Sequence, residues 1–191
     1  MSRSSKENLK CLTEVAALQE SFFTARQAIE AGYVDAVHGY HVTQGNWERH
    51  GRGVYRLASL PRPDWIEPIV AYFWSRDRDD RPQATISHET AAAIHGILPR
   101  TDTVSVIVPP DFRKSTETPA FIRLHKAVLS SDETENGPGL RVTSLRRTLE
   151  DIKDHPDYER LMHEARARPD FYATAATDHV AYDRVINMGE D

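Results

Sequence analysis

The sequence predicts an α+β chain in which a small helical unit, closed by a β-hairpin, precedes a mixed α/β unit. Three observations lead there. The first 45 residues hold three short helix-like stretches, residues 46–57 alternate around a glycine-rich tip, and the remainder sets the β-branched run Thr103–Val108 among helix-like and strand-like segments. At 191 residues, 39% hydrophobic and 28% charged, with a mean hydropathy of −0.57, the chain is globular but polar, which excludes a fibrous or wholly disordered protein.

In the first helix, Leu9, Leu12, Val15, Ala16 and Leu18 recur at three- and four-residue steps from about residue 5 to Glu20. Thr24 stands where an N-cap belongs, Ala25, Ala28 and Ile29 give a second helix its apolar face, and Gly32 closes it. Asp35 is placed to cap a third stretch carrying Val37, Tyr40, His41 and Val42, which stops at Gly45. NWERHGRGVYRL then reads as two strands around His50-Gly51-Arg52-Gly53. Three short helices and a hairpin form the element order of a winged helix-turn-helix, expected over residues 1–60. In that arrangement a late helix enters the major groove, and a basic hairpin follows the neighbouring phosphates.

Leu60-Pro61-Arg62-Pro63 marks a joint, after which a small mixed α/β domain is expected over 61–155. Trp65–Trp74 reads as helical after Pro68, 75–82 as a solvated charged loop, and 84–86 as a short strand. Ser87 caps a helix that Gly96 ends. Thr103–Val108 and Phe121–Leu129 read as strands, 130–139 as a polar turn or loop, and 140–142 as the start of another strand. Ser144 caps a helix containing Leu145, Leu149 and Ile152. Residues 156–191 are expected to form a helical or weakly ordered extension.

The net charge of −5 is unevenly divided. Residues 1–60 hold seven Lys/Arg and six acids, and residues 61–191 hold 17 basic and 23 acidic residues, so the acidity belongs to the second part. The longest apolar run, Ile69–Trp74, is far too short for a membrane span, and MSRSSKENLK lacks a signal core. With one cysteine, Cys11, these features lead to the expectation of a cytoplasmic protein without membrane partners.

Motifs for chemistry are sparse. His88-Glu89-Thr90-Ala91-Ala92 begins like the H-E-x-x-H zinc helix but has Ala92 where the second histidine belongs, and His88 with His95 lacks a third ligand. No metal, cofactor or nucleotide loop is expected, and an enzyme is not the leading reading. Asp111, Asp151 and Lys153 give the donors of a metal-dependent nuclease, an alternative that Asp151 fits poorly because it reads as helical. A second alternative is a protein-binding module with a degenerate helix-turn-helix.

GNWERHGRGVYRL (Gly45–Leu57), TISHETAAAIHGI (Thr85–Ile97), TVSVIVP (Thr103–Pro109) and RVTSLRRTLEDI (Arg141–Ile152) resemble, in this order and spacing, the AbiEi-type antitoxins of bacterial type IV, or abortive-infection, toxin–antitoxin systems. The resemblance spans about residues 8–153. It implies an N-terminal winged helix-turn-helix that binds inverted repeats in its own promoter, and a second domain that counteracts a neighbouring nucleotidyltransferase toxin without a stable complex. Gly45, Gly53, Val54 and Tyr55 match the family's hairpin, with Tyr55 as a packing residue. Ser87, His88, Ala91 and Gly96 match its helix, and Thr143, Ser144, Thr148, Leu149 and Asp151 match its strand-to-helix turn. His38-Gly39-Tyr40-His41 departs from the family's leucine- and arginine-rich recognition segment, and Gly39 costs a helix roughly 1 kcal/mol relative to Ala.

The expected function is therefore that of a double-stranded-DNA-binding regulator, dimeric if its operator is palindromic. Thr24 and Arg26 of the second helix, His38, His41, Thr43 and Gln44 of the third, and Arg49, His50 and Arg52 of the hairpin are the expected DNA contacts. Gln pairs bidentately with adenine, and Arg makes charge-assisted bonds to phosphate.

Overall fold

The Ser4 hydroxyl accepts a hydrogen bond from the Glu7 amide, and the Glu7 carboxylate accepts from the Ser4 amide at 2.6 Å, starting helix α1 (Ser5–Ala17). The computed structural model describes residues 4–137 and 139–168. Helix α1 buries Leu12 and Ala16. Left-handed Glu20 and Ser21 then turn the chain into strand β1 (Phe22–Thr24), followed by α2 (Ala25–Glu30), a 3-10 turn (Asp35–Val37), α3 (His38–Thr43), β2 (Trp47–Gly51) and β3 (Val54–Leu57). The three strands form an antiparallel sheet in the order β1-β3-β2. The expected hairpin is thus one strand short. Phe22–Thr24 is three residues long and buried throughout, so it shows no alternation.

The second half runs α4 (Ile66–Trp74), β4 (Thr85–Ile86), α5 (His88–Ile94), β5 (Val104–Val108), β6 (Ile122–Lys126), β7 (Thr134–Gly137), β8 (Leu140–Thr143), α6 (Leu145–Asp151) and α7 (Tyr158–Arg166). Its five-stranded mixed sheet has the order β6-β5-β4-β8-β7, so the chain has an α+β fold. Helix α4 starts before Pro68 rather than after it. Proline is tolerated there because a first-turn N–H has no helical partner. The polar stretch 130–139 contains a 3-10 turn (Ser131–Glu133) and strand β7, not merely a loop. Helix α7 packs Leu161 and Ala165 onto Leu145, Leu149 and Ile152, so the second half's core extends beyond residue 155, to Ala165. The expected extension from Pro169 to Asp191 lies outside the described residues. Among the described residues no helix is long and apolar enough to cross a membrane.

The sheets are separate, but the core beneath them is shared. Register places Phe23, Tyr55, Leu57 and Trp47 on one face of the first sheet, where they pack with Leu12, Ala16 and Ala28 of the helices. The opposite face carries Phe22 and Val54, which pack with Ile69 and Phe73 of α4 and with Ala84, Ile86, Val106 and Val142. Every residue of β3 is buried, as expected for a strand covered on both sides. The loop after α4 exposes Asp77, Arg78, Asp79 and Arg81, as its charges imply, but Arg76 and Asp80 pin it to this junction. The Arg76 guanidinium meets Asp80 at 2.7 Å and donates to the carbonyls of Arg52 (2.8 Å) and Gly53 (3.1 Å), while Asp80 accepts a hydrogen bond from the Thr24 hydroxyl.

Each half also holds a carboxylate well below its ordinary value. Glu48 lies near pKa about 2, first because Arg56 donates to it, at 2.6 Å at closest, with His50 adding a smaller contribution. Glu133 lies at about 2 because it accepts from the Ser130 backbone and from Arg147 at 2.5 Å. Burial lowers His88 and His125, which stack at 3.7 Å between ring centroids.

Phe22→Ala is expected to cost about 3–5 kcal/mol of stability while leaving one coincident transition by far-UV circular dichroism and tryptophan fluorescence. Separate transitions for the halves would contradict the shared core. On acidification, these half-buried histidines, whose protonation the fold disfavours, cost stability once pH falls below their ordinary value of 6.5. The depressed Glu48 and Glu133 stabilise fully above pH 4.5 and lose that contribution as pH falls toward 2. Urea titrations across pH should therefore show Glu48→Gln/Glu133→Gln less stable at pH 7, with a shallower loss below pH 4.5. An unchanged acid slope would refute the assignment.

Candidate nucleic-acid interface

Helix α2 begins at a reciprocal cap. Thr24 Oγ1 accepts from the Gln27 amide at 3.2 Å, and Gln27 Oε1 accepts from the Thr24 amide at 2.9 Å. Gly32 ends the turn after α2 at φ +103°, where a Cβ would meet the Asn8 side chain at 2.5 Å. Asn8 Nδ2 in turn donates to Gly32 O at 2.9 Å. The 3-10 turn leads into α3, whose inner side is set by Trp47. This indole, 2% exposed, meets Phe23 (4.9 Å), Tyr33 (5.2 Å), His38 (5.2 Å), His41 (4.7 Å, stacked) and Tyr55 (5.6 Å). The outer side of α3 presents Gly39, Tyr40 and Thr43, with Gln44 just beyond, all exposed.

The hairpin divides its polar residues between faces. Glu48, His50 and Arg56 lie on the side of Phe22, where His50 Nε2 is 3.3 Å from Glu48 Oε2 and its ring is 5.1 Å from that of Phe22. Arg49 is exposed on the other side, its Nε 3.4 Å from Gly51 O, and Arg52 is exposed at the tip. Gly53 has φ +64°, and a Cβ there would come within 2.8 Å of the Arg76 guanidinium, so both the turn and the clamp need glycine.

The expected DNA contacts therefore separate. Thr43, Gln44, Arg49 and Arg52 are exposed; Thr43 Oγ1 donates to Gly39 O at 3.0 Å. Arg26 is exposed but engaged by Glu30 at 3.3 Å and by Arg78 O at 3.4 Å. Three expectations need correction. Thr24 is 1% exposed and spends its hydroxyl on the cap and Asp80. His38 is 3% exposed between Trp47 and Tyr55, with burial lowering its pKa despite Asp35 at 3.4 Å. His50 faces the second half. His41 is half-buried on Trp47, with its pKa also lowered by burial and by His38, so its ring is largely committed inward. Tyr40, by contrast, is 61% exposed. Its amphipathic ring and the polar label of His38 hide which of the two points inward.

The other sites considered in the sequence do not assemble. His88, at φ +52°, lies 2.9 Å from Ser87 Oγ at the start of α5, whereas His95 at its far end lies 2.7 Å from the Thr143 carbonyl. Asp151 closes α6 and is paired with Arg147 at 2.8 Å. Asp111 is exposed beyond the C-terminal end of β5, and Lys153 is exposed after α6. Among the described residues no group of three or more His, Cys, Asp or Glu is arranged to hold a metal ion.

No protein-family model and no curated protein matches the chain. Among solved structures, the chain resembles the crystal structure of the RV2827C protein from Mycobacterium tuberculosis, with a TM-score of 0.51 and 14% identity over 83% of this chain. The match spans 64% of that protein's length, and at this identity the likeness is one of fold.

Proposed function

We propose that the chain is a non-enzymatic DNA-binding regulator of the AbiEi antitoxin type, with residues 4–60 acting as a winged helix-turn-helix. The observation that carries the reading is the juxtaposition of an exposed α3 face (Gly39, Tyr40, Thr43 and Gln44) with a hairpin whose Arg49 and Arg52 meet no carboxylate among the described residues. The element order, helix, strand, helix, helix and hairpin, agrees with it. A net charge of −5 disfavours phosphate binding overall, but not locally, because the hairpin's one carboxylate, Glu48, is turned to the opposite face and bound by Arg56. Gln44 and Thr43 supply groups for base edges, Arg49 and Arg52 hold phosphates, and Gly39 leaves the α3 backbone room beside a duplex. On this reading the protein works in the cytoplasm, binds inverted repeats as a dimer, represses its own operon and counteracts a nucleotidyltransferase toxin encoded beside it.

A second reading is favoured by one feature. Leu9, Val34 and Tyr40 are exposed around a groove of about 860 Å³ between α1 and α3, the kind of apolar surface that serves protein binding. Gel-shift titration of DNA from upstream of the coding sequence, repeated at several salt concentrations, separates the two. DNA binding predicts a salt-dependent shift, a loss of affinity of about tenfold or more in Arg49→Ala/Arg52→Ala, and a salt slope smaller by about two. Unchanged binding in the double variant would sink the wing assignment, and absence of a shift would leave the protein-binding reading in possession.

A further inference from the structure

The second sheet has two unlike faces. One carries Val104, Val106, Val108, Ile86 and Val142 into the shared core. By strand alternation the other carries Ser105, Ile107, Thr85, Ser87, Arg141 and Thr143. Helices α5 and α6 cover one end of this polar face: Thr90 Oγ1 accepts from the Ser105 amide at 3.0 Å, and Thr148 and Thr143 share a hydrogen bond at 2.7 Å. At the other end lies a cavity of about 720 Å³, lined by Thr85, Ile107, Asn136 and Arg141 of the sheet together with Pro109 and Leu129. That volume and the mixture of apolar walls with a few polar groups suit a small organic ligand.

Arg141 distinguishes this cavity. It is half-buried, and Nε donates to Thr85 Oγ1 at 3.0 Å, which fixes the guanidinium plane. Arg56, Arg76 and Arg147, also at least partly withdrawn from solvent, each meet a carboxylate, at 2.6, 2.7 and 2.5 Å. Arg141 has no carboxylate within ion-pair distance among the described residues. Glu135, which also lines the cavity, pairs in register with Val142, so alternation turns its side chain toward the face opposite Arg141. A fixed guanidinium presents parallel N–H donors that match a carboxylate or phosphate. Asn136, directly opposite Arg141 on β7, adds an amide beside it, and Ile107, Pro109 and Leu129 offer apolar contact to the remainder of a ligand.

We propose that this cavity is a binding site for a small organic anion whose oxyanion head pairs with Arg141 and whose apolar body rests on Ile107, Pro109 and Leu129. The head is a carboxylate or a phosphate monoester, which share this chemistry. The full chain is titrated with salicylate and with adenosine 5′-monophosphate, each beside its neutral counterpart, salicylamide or adenosine, and followed by amide chemical shifts. The expected result is saturable binding of at least one anion, with shifts centred on Thr85, Arg141 and Asn136. Its neutral counterpart binds about tenfold more weakly or worse, as loss of a charge-assisted pair requires. Arg141→Gln weakens the anion by a similar factor, and Arg141→Lys by less. Should Arg141→Gln fail to fold, Asn136→Ala, at the exposed rim, replaces it and is expected to weaken the anion several-fold. Which anion binds identifies the head group. Binding of neither anion, equal binding of a neutral counterpart, shifts centred elsewhere, or unchanged affinity in the folded variant would overturn the site.

Discussion

Burial of strand β3 on both of its faces is the constraint from which the arrangement of the molecule follows. Tyr55 and Leu57 close the core beneath the N-terminal helices, while Val54, with Phe22 of the neighbouring strand, reaches into the core of the second sheet. Few small β-hairpins are held this way, since an isolated hairpin packs one face and wets the other. The result is that the junction near residue 60 divides the sheets without dividing the apolar core. Arg76 reinforces the junction with hydrogen bonds to the hairpin tip, and Asp80 ties the same loop to the cap of α2.

That constraint decides which hairpin residues remain available for function. Alternation along β2 sends Glu48 and His50 toward the second half and leaves Arg49 on the opposite side, so neighbours in sequence acquire unlike roles. The acid that would repel a phosphate is bound to Arg56 on the inner side. The same geometry fixes α3 through Trp47, around which His38 and His41 gather from the helix and Phe23 and Tyr55 from the sheet. This aromatic cluster holds α3 in one orientation against the sheet.

Much of the fold is legible in the sequence where the signal is local. Thr24 and Ser144 cap helices as their positions imply, Gly45, Gly53 and Gly96 adopt positive φ at the ends they punctuate, and the β-branched run becomes β5. What escapes is set by partners distant in sequence. Phe22–Thr24 becomes a strand only because β3 lies beside it, and Arg76 of the otherwise exposed charged loop is drawn in by carbonyls of the hairpin. The candidate interface is legible in part. Thr43, Gln44, Arg49 and Arg52 stay outside, but a polar residue type does not report that His38 is packed between aromatic rings or that Thr24 is already satisfied. Arg141 gave no sequence signal at all, because its standing rests on which carboxylates are not beside it.

Native-state hydrogen exchange of the sheet amides tests the central claim, that the first sheet cannot open without the core it shares with the second. Under conditions where exchange reports opening free energy, the amides of β1 and β3 should exchange with the same free energy as those of β5, and should lose protection together with them as denaturant is added. Exchange of β1 and β3 through a lower-energy opening that leaves β5 protected would contradict the account.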